Sequence, residues 1–256
     1  MMMCRASISE EDAAASILSA PLPLVIIDTC VLGDIFRGVL EGRAKASISV
    51  LDWLCSCRTR NEFHLVIPSQ VMNEFYVPGQ FVNRELEPFK TAANKWNAVL
   101  EAYVSCARFP RVSGINPNLK IDIDMVGKLY SAVLNEIGKV FEVSIVFESS
   151  SEAQKWARNR QLISLKPAKR GKDSFGDCEI CGSALSLMAK LRASGFVENA
   201  YFVSPNKSDY MQGNRLHPDL QDDFTAIQLN YTASILDVMG ELFRRESISQ
   251  RGKSKN

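Results

Sequence analysis

Four places along the chain set a carboxylate beside the end of an apolar, strand-like run or the start of a helical one: Asp28, Glu74, Asp173 with Asp177, and Asp209. Asp28 ends the run Leu22 to Ile27 and is followed by Thr29. Asp173 and Asp177 are four apart, so a helix that begins early enough turns them the same way, about one turn apart. Like charges so placed repel, and a divalent cation removes that cost. An all-carboxylate set suits a hard ion, Mg²⁺ or Mn²⁺. Such an ion activates water and stabilises charge on a phosphodiester during in-line displacement. Lys166, Lys169, Arg170 and Lys172 lie just before Asp173 and supply a lip for phosphate. Taken alone, a basic run of this kind also serves as plain solvated surface.

Each residue has a plainer role beside the chemical one. Asp28 and Asp173 fit as helix caps, Glu74 as a surface helix residue and Asp209 as a turn residue. Cys178 and Cys181 form a CxxC, which suits redox or zinc chemistry. No second pair has zinc spacing, since Cys55 and Cys57 form a CxC, and thiols in apolar runs pack as small apolar groups. With only His64 and His217 in the chain, a Ser-His-Asp site would depend on one or two candidates, and no GxSxG elbow supports it. GxGxxG and P-loop signatures are missing too. Trp53, Trp96 and Trp156 fit helix packing better than base stacking.

The positioning elements follow from pattern. Leu22 to Ile27 is short, apolar and β-branched, as in a strand buried on both faces of a parallel sheet. A carboxylate at the carboxyl end of such a strand lies where open α/β sheets bind ligands. Helical spacing follows over Val31 to Leu40 and over Ala44 to Arg60, with Ile48, Leu51, Trp53, Leu54 and Cys55 inward. Phe63 to Ile67 is a second strand, closed by Pro68, and Ser69 caps a helix that carries Glu74. Phe81 to Arg108 is a long amphipathic helix with Leu86, Phe89, Trp96, Leu100 and Tyr103 on the buried face and Pro88 near its start or kinking it. Phe109 to Lys120 reads as a loop and Ile121 to Phe141 as another helix. Val143 to Phe147 fits a strand or a helix end. Ser149 to Ser164 reads as helix, Leu165 to Gly176 as a basic loop and Asp177 to Ser194 as helix. Ala200 to Ser204 is a strand, Pro205 to Asn214 a polar turn region, Thr225 to Leu229 a final strand and Ser234 to Phe243 a helix. Strands alternating with helices predict an α/β fold with a parallel sheet. The expected layout is a flexible N-terminal segment over 1–20, one domain over 21–244 with a helical insert at about 81–164, and a disordered tail over 245–256. Ser9 ahead of Glu10, Glu11 and Asp12 is a cap-and-first-turn pattern inside the first segment.

The 256 residues carry 46% hydrophobic and 23% charged side chains and a formal net charge of +1. A sizeable core is within reach at this length, and nucleic-acid binding must come from a local patch rather than a global field. Seven cysteines, an odd number at irregular spacing, predict reduced thiols in a cytoplasmic protein. Neither a signal peptide nor a membrane span is expected.

In their order the acidic motifs resemble those of the PIN-domain nucleases, and of the larger bacterial branch in particular. VIIDTCVLGD resembles the opening motif with Asp28 and Thr29. PSQVMNEFY resembles the second with Glu74, KDSFGDCEI the third with Asp173 and Asp177, and YFVSPNKSDY the last with Ser204, Asn206 and Asp209. The likeness covers about residues 22–210, apart from the helical stretch Phe81 to Ser164. It implies a three-layer, parallel-sheet PIN-like fold with a helical insert. It also implies metal-dependent hydrolysis of RNA, single-stranded by expectation, with Mg²⁺ or Mn²⁺ held by Asp28, Glu74 and Asp177. Asn206 stands where relatives carry Asp, and Asp209 is the nearest carboxylate to complete the set. Thr29 and Ser204 would brace an acid, and Lys172, with Lys169 and Arg170, would meet phosphate. A toxin-like or defence role, an inhibitory protein partner and a homodimer belong to the same resemblance. Two other classes stay open: a PIN-like module that binds RNA or protein without cutting, motivated by Asn206, and a phosphatase with Asp28 as nucleophile, in which Cys30 replaces the expected second Asp.

Overall fold

The computed structural model describes residues 6–40, 43–76, 80–105 and 120–253. Helix α1 (Glu10–Ser19) leads into strand β1 (Leu24–Ile27), helices α2 (Thr29–Leu40) and α3 (Ala44–Arg60), and strand β2 (His64–Pro68). Helices α4 (Ser69–Tyr76), α5 (Gln80–Ser105) and α6 (Ile123–Val143) follow, then β3 (Ile145–Phe147), α7 (Ser151–Ile163), α8 (Phe175–Ala193) and β4 (Ala200–Val203). The chain closes with α9 (Lys207–Tyr210), the hairpin strands β5 (Met211–Gln212) and β6 (Arg215–Leu216), α10 (Pro218–Ala226), β7 (Leu229–Thr232) and α11 (Ile235–Lys253).

Two compact units divide the chain, one of Met1–Glu74 with Glu136–Asn256 and the other of Phe75–Asn135. The first holds a five-stranded parallel sheet in the order β3-β2-β1-β4-β7. Strands β1 and β4 are buried along their whole length. That is what a sheet covered on both faces requires, and it explains why LVII and AYFV carry no alternation. From β1 the chain steps to β2 and β3 on one side, then crosses to β4 and β7 on the other. The order therefore reverses between β1 and β4, where an open α/β sheet forms its crevice at the carboxyl ends.

Helix α8 is buried nearly all round, from Cys178 through Leu191. Its glycine at 182 lets α7 approach: a Cβ there would stand 2.8 Å from the Ala153 carbonyl oxygen and 3.1 Å from the Trp156 ring. Backbone cannot give way as a side-chain tip can, so Gly182→Ala is expected to cost about 1–3 kcal/mol, read as a lowered urea midpoint. Cys178 and Cys181 lie in the same core, and burial pushes both thiols up, away from thiolate chemistry.

Residues 6–20 of the N-terminal segment are packed against the fold. Ser9 Oγ accepts from the Asp12 N–H at 3.0 Å, so the predicted cap forms. Ala13, Ala14 and Ile17 are buried, and Ile8 extends the sheet edge beside Phe147. Glu10, 2% exposed, is held by Lys190 Nζ at 3.1 Å and Ser186 Oγ at 3.0 Å. A polar, alanine-rich composition concealed these contacts, because the partners lie some 180 residues away. At the other end α11 runs to Lys253, past the point at 244 where a disordered tail was expected. The final strand is β7, not Thr225 to Leu229; α10, begun by Pro218 at its first helical position, runs through Ala226, a turn follows, and the strand starts only at Leu229. Ile48 is 51% exposed rather than inward.

The second unit is smaller than the expected insert at 81–164, because β3 and α7 belong to the sheet-bearing unit. Within it, Asn97 binds the backbone of Ile121 twice, accepting from N–H and donating to C=O at 2.9 Å each. Asp122 caps α6 by accepting from the Asp124 and Met125 N–H groups. Leu86, Ala93 and Leu100 are buried, but Trp96 is 46% exposed, and Pro88 lies inside α5. The expected loop over 109–119, the side chain of Tyr103, Cys4 and Cys106 fall outside the described residues. No helix among the described residues is long and apolar enough to cross a membrane.

Candidate active site

Asp28 is the first residue past β1, and Ser204 the first past β4. The two strands are neighbours in register, Ile27 opposite Val203. Ser204 Oγ donates to Asp28 Oδ2 at 2.5 Å across that junction, and both residues are fully buried. Asp28 Oδ1 is also buried and has no hydrogen-bond partner among the described residues. An orphaned carboxylate oxygen at the topological switch point costs stability unless something meets it.

Asp177 stands in the first turn of α8 and Glu74 at the end of α4's second turn. Their charges reach Asp28. Burial raises Asp28 to about 7; the Ser204 hydroxyl opposes the rise, the Asp177 and Glu74 charges add to it, and the Cys30 N–H opposes it. Burial likewise lifts Asp177 to about 6, helped by the charges of Asp209 and Glu74 and opposed by Lys172 and Lys169. Glu74 is fixed by Thr29 Oγ1, which donates to its Oε2 at 2.7 Å, and by Gln70 Nε2 at 3.2 Å on Oε1. Gly176 makes room for that carboxylate: a Cβ there would fall 2.2 Å from Glu74 Oε1.

Asp209 is placed differently. It is 1% exposed and its oxygens are engaged by Lys169 Nζ at 2.6 Å and Asn206 Nδ2 at 2.5 Å. Lys166 Nζ is 3.9 Å from the same carboxylate and donates to the Ser208 carbonyl at 2.8 Å. Ser208 Oγ accepts from Lys169 and donates to Asn206 Oδ1, each at 2.9 Å. Asn206 and Asp209 thus form an anchor for the basic loop. Arg160 fixes the same loop from the other side: it donates to the carbonyls of Lys166 and Asp219 and pairs with Asp223. Arg160→Ala removes several charge-assisted bonds at once and is expected to cost about 2–3 kcal/mol, read by chemical denaturation.

Asp173 does not join the acids. Helix α8 starts at Phe175, so Asp173 lies ahead of it; its Oδ1 accepts from the Phe175 N–H at 3.1 Å and from Gln161 at 3.2 Å. It ties down the loop before α8. Lys172 and Arg170 are exposed on that loop, with Lys172 close enough to lower Asp177. Cys30 is no acid/base partner for Asp28, because burial and the Asp28 charge push its thiol up. Gln70, Gly176, Ser208 and Arg160 were not singled out from sequence. Gly176 sits inside KDSFGDCEI and could have been; the other three show their role only through partners distant in the chain or one helical turn away.

Among the described residues, no three His, Cys, Asp or Glu side chains are gathered so that they could hold a metal ion as they stand. Asp28, Glu74 and Asp209 are each in electrostatic contact with Asp177, without three of them gathered around one point. Hard-ion chemistry does not demand more: Mg²⁺ keeps several waters and is commonly bound through one or two carboxylates. The orphaned Asp28 oxygen and the raised Asp177 suit such an ion.

Searches of family models, curated proteins and solved structures return no match for this chain.

Proposed function

We propose that the protein is a PIN-like, Mg²⁺- or Mn²⁺-dependent nuclease that hydrolyses RNA phosphodiester bonds. The observation that carries the reading is the buried, half-unpartnered Asp28 carboxylate at the β1/β4 switch point, facing the charges of Asp177 and Glu74. Asp28 and Asp177 would hold the ion, with Glu74 braced beside them by Thr29 and Gln70. A bound ion supplies a water of lowered pKa and a counter-charge for the phosphate. Ser204 keeps Asp28 oriented, as a supporting hydrogen bond does for a ligating carboxylate. Lys172 and Lys169 put positive charge next to Asp177 and so next to an incoming phosphate. Asp209 acts in this scheme through the loop it anchors rather than as a ligand.

A second reading, an RNA-binding module that does not cut, draws on the same anchor, because pairing with Lys169 and Asn206 leaves Asp209 committed. Purified protein incubated with labelled single-stranded RNA separates the two. The nuclease reading expects cleavage in Mn²⁺ or Mg²⁺ that stops in EDTA and in the Asp28→Asn/Asp177→Asn double variant. RNA binding with no turnover under any of these conditions favours the module.

A further inference from the structure

Beside the acids lies a cavity of about 150 Å³ that the scheme above does not use. Its apolar walls come from Val31 and Ile35 of α2, Val50 of α3 and Ile235 of α11. Asp34, Arg43, Ser47 and Ser234 add polar groups, and Pro205 also lines it. Two of these residues adjoin Asp28 directly. The Val31 N–H donates to the Asp28 carbonyl at 3.0 Å, and Pro205 follows Ser204, whose hydroxyl holds the Asp28 carboxylate. The cavity thus lies at the carboxyl-end edge of the sheet, next to the residue that carries the acid.

We infer that this cavity receives one nucleobase of a single-stranded RNA whose phosphate lies at Asp28 and Asp177; the inference rests on the nuclease reading and names how its substrate is recognised. Size argues for it. Pockets for whole drug-sized ligands run from roughly 300 to 1,000 Å³, so this one takes a ring system and not a full nucleotide. Composition argues the same way. A base offers flat apolar faces to Val31, Ile35 and Val50 and polar edges to the groups between them. Asp34 has one oxygen paired with Arg37 at 2.5 Å. As an acceptor-only group it meets the N–H donors of a base edge, while the donor-only Arg43 of the same lining meets ring and carbonyl acceptors. Unstacked bases of single strands are recognised in this manner, by contact with the face and hydrogen bonds to the edge.

Ala46 lines the cavity from the exposed rim of α3, so Ala46→Phe fills it without disturbing the core. The measurement is fluorescence anisotropy of the full chain with labelled single-stranded RNA and with an abasic ribose-phosphate chain of equal length, in EDTA. The wild type is expected to prefer the RNA by about tenfold, on the scale of one base contact. Ala46→Phe should lose that preference while binding the abasic chain as before. Asp34→Asn should flatten differences among oligo(A), oligo(C), oligo(G) and oligo(U). Ala233→Phe fills the cavity from a second lining position, outside α3, and should repeat the Ala46→Phe result, which guards against a single misfolded variant. Equal binding of both chains by the wild type, or a preference untouched by both fillings, overturns the base pocket. If the wild type still cleaves RNA with metal in that case, only the pocket fails. If it neither binds RNA nor cleaves it, the nuclease reading fails and the pocket with it.

Discussion

Asp28→Asn is expected to stabilise the protein in EDTA at about pH 8 while abolishing metal-dependent cleavage. The sign follows from the direction of the shift. Asp28 is raised from an ordinary 3.8 to about 7 in the folded state, so the folded protein binds that proton more tightly than the unfolded chain does. Its contribution is most favourable below about pH 4 and is lost as pH rises through about 7. Asp177, raised to about 6, acts in the same sense over a slightly lower window. Above both values the folded state carries buried, mutually repelling carboxylates. Neutralising Asp28 removes a cost on the order of 2–4 kcal/mol, or about 5–10 °C in thermal midpoint. Differential scanning calorimetry of wild type and variant at acid and alkaline pH checks this. In the wild type without divalent ions, the midpoint should fall between about pH 5 and pH 8, and Mn²⁺ should restore it most at the alkaline end.

Asp209→Ala is expected to act in the opposite sense. This carboxylate is as buried as Asp28, yet it meets Lys169, Asn206 and Ser208 instead of an empty direction. Its removal leaves Asn206 Nδ2 short of an acceptor and frees Lys169 and Lys166 from the loop anchor. Breaking a buried pair in this way costs about 3–5 kcal/mol; with Lys169 partly solvated the lower end is expected. Urea unfolding at neutral pH reads the loss directly. Opposite signs at two equally buried acids would separate an acid placed to meet a cation from an acid placed to hold a loop. Equal signs would remove that distinction.

What could be read in the sequence, and what could not, divides along a physical line. Asp28, Glu74 and Asp177 were legible because each follows a local signal: an apolar run that stops at an acid, a strand closed by proline, a helix start. That β1, β2 and β4 belong to a parallel sheet was legible from their apolar runs and the helices between them, whereas their order was not. For Asp173 the outcome turned on where the helix begins: the start at Phe175 leaves it in the loop, accepting from the Phe175 N–H in a cap-like role, and not one turn from Asp177 on the same helix. The pairing of Lys169 with Asp209 joins residues 40 apart through a loop, and neither periodicity nor charge pattern encodes which cation meets which acid. Glu10 is the clearest case. A glutamate in an acidic first turn reads as solvated, yet Lys190 and Ser186 of α8 bury it.

The most direct test of the central claim is a Mn²⁺ titration followed by the electron paramagnetic resonance signal of the free ion. The site described here predicts that the wild type depletes that signal and that the folded Asp28→Asn/Asp177→Asn variant does not. A wild type that leaves the signal unchanged, or a double variant that depletes it equally, would contradict the assignment of these two carboxylates to a metal ion.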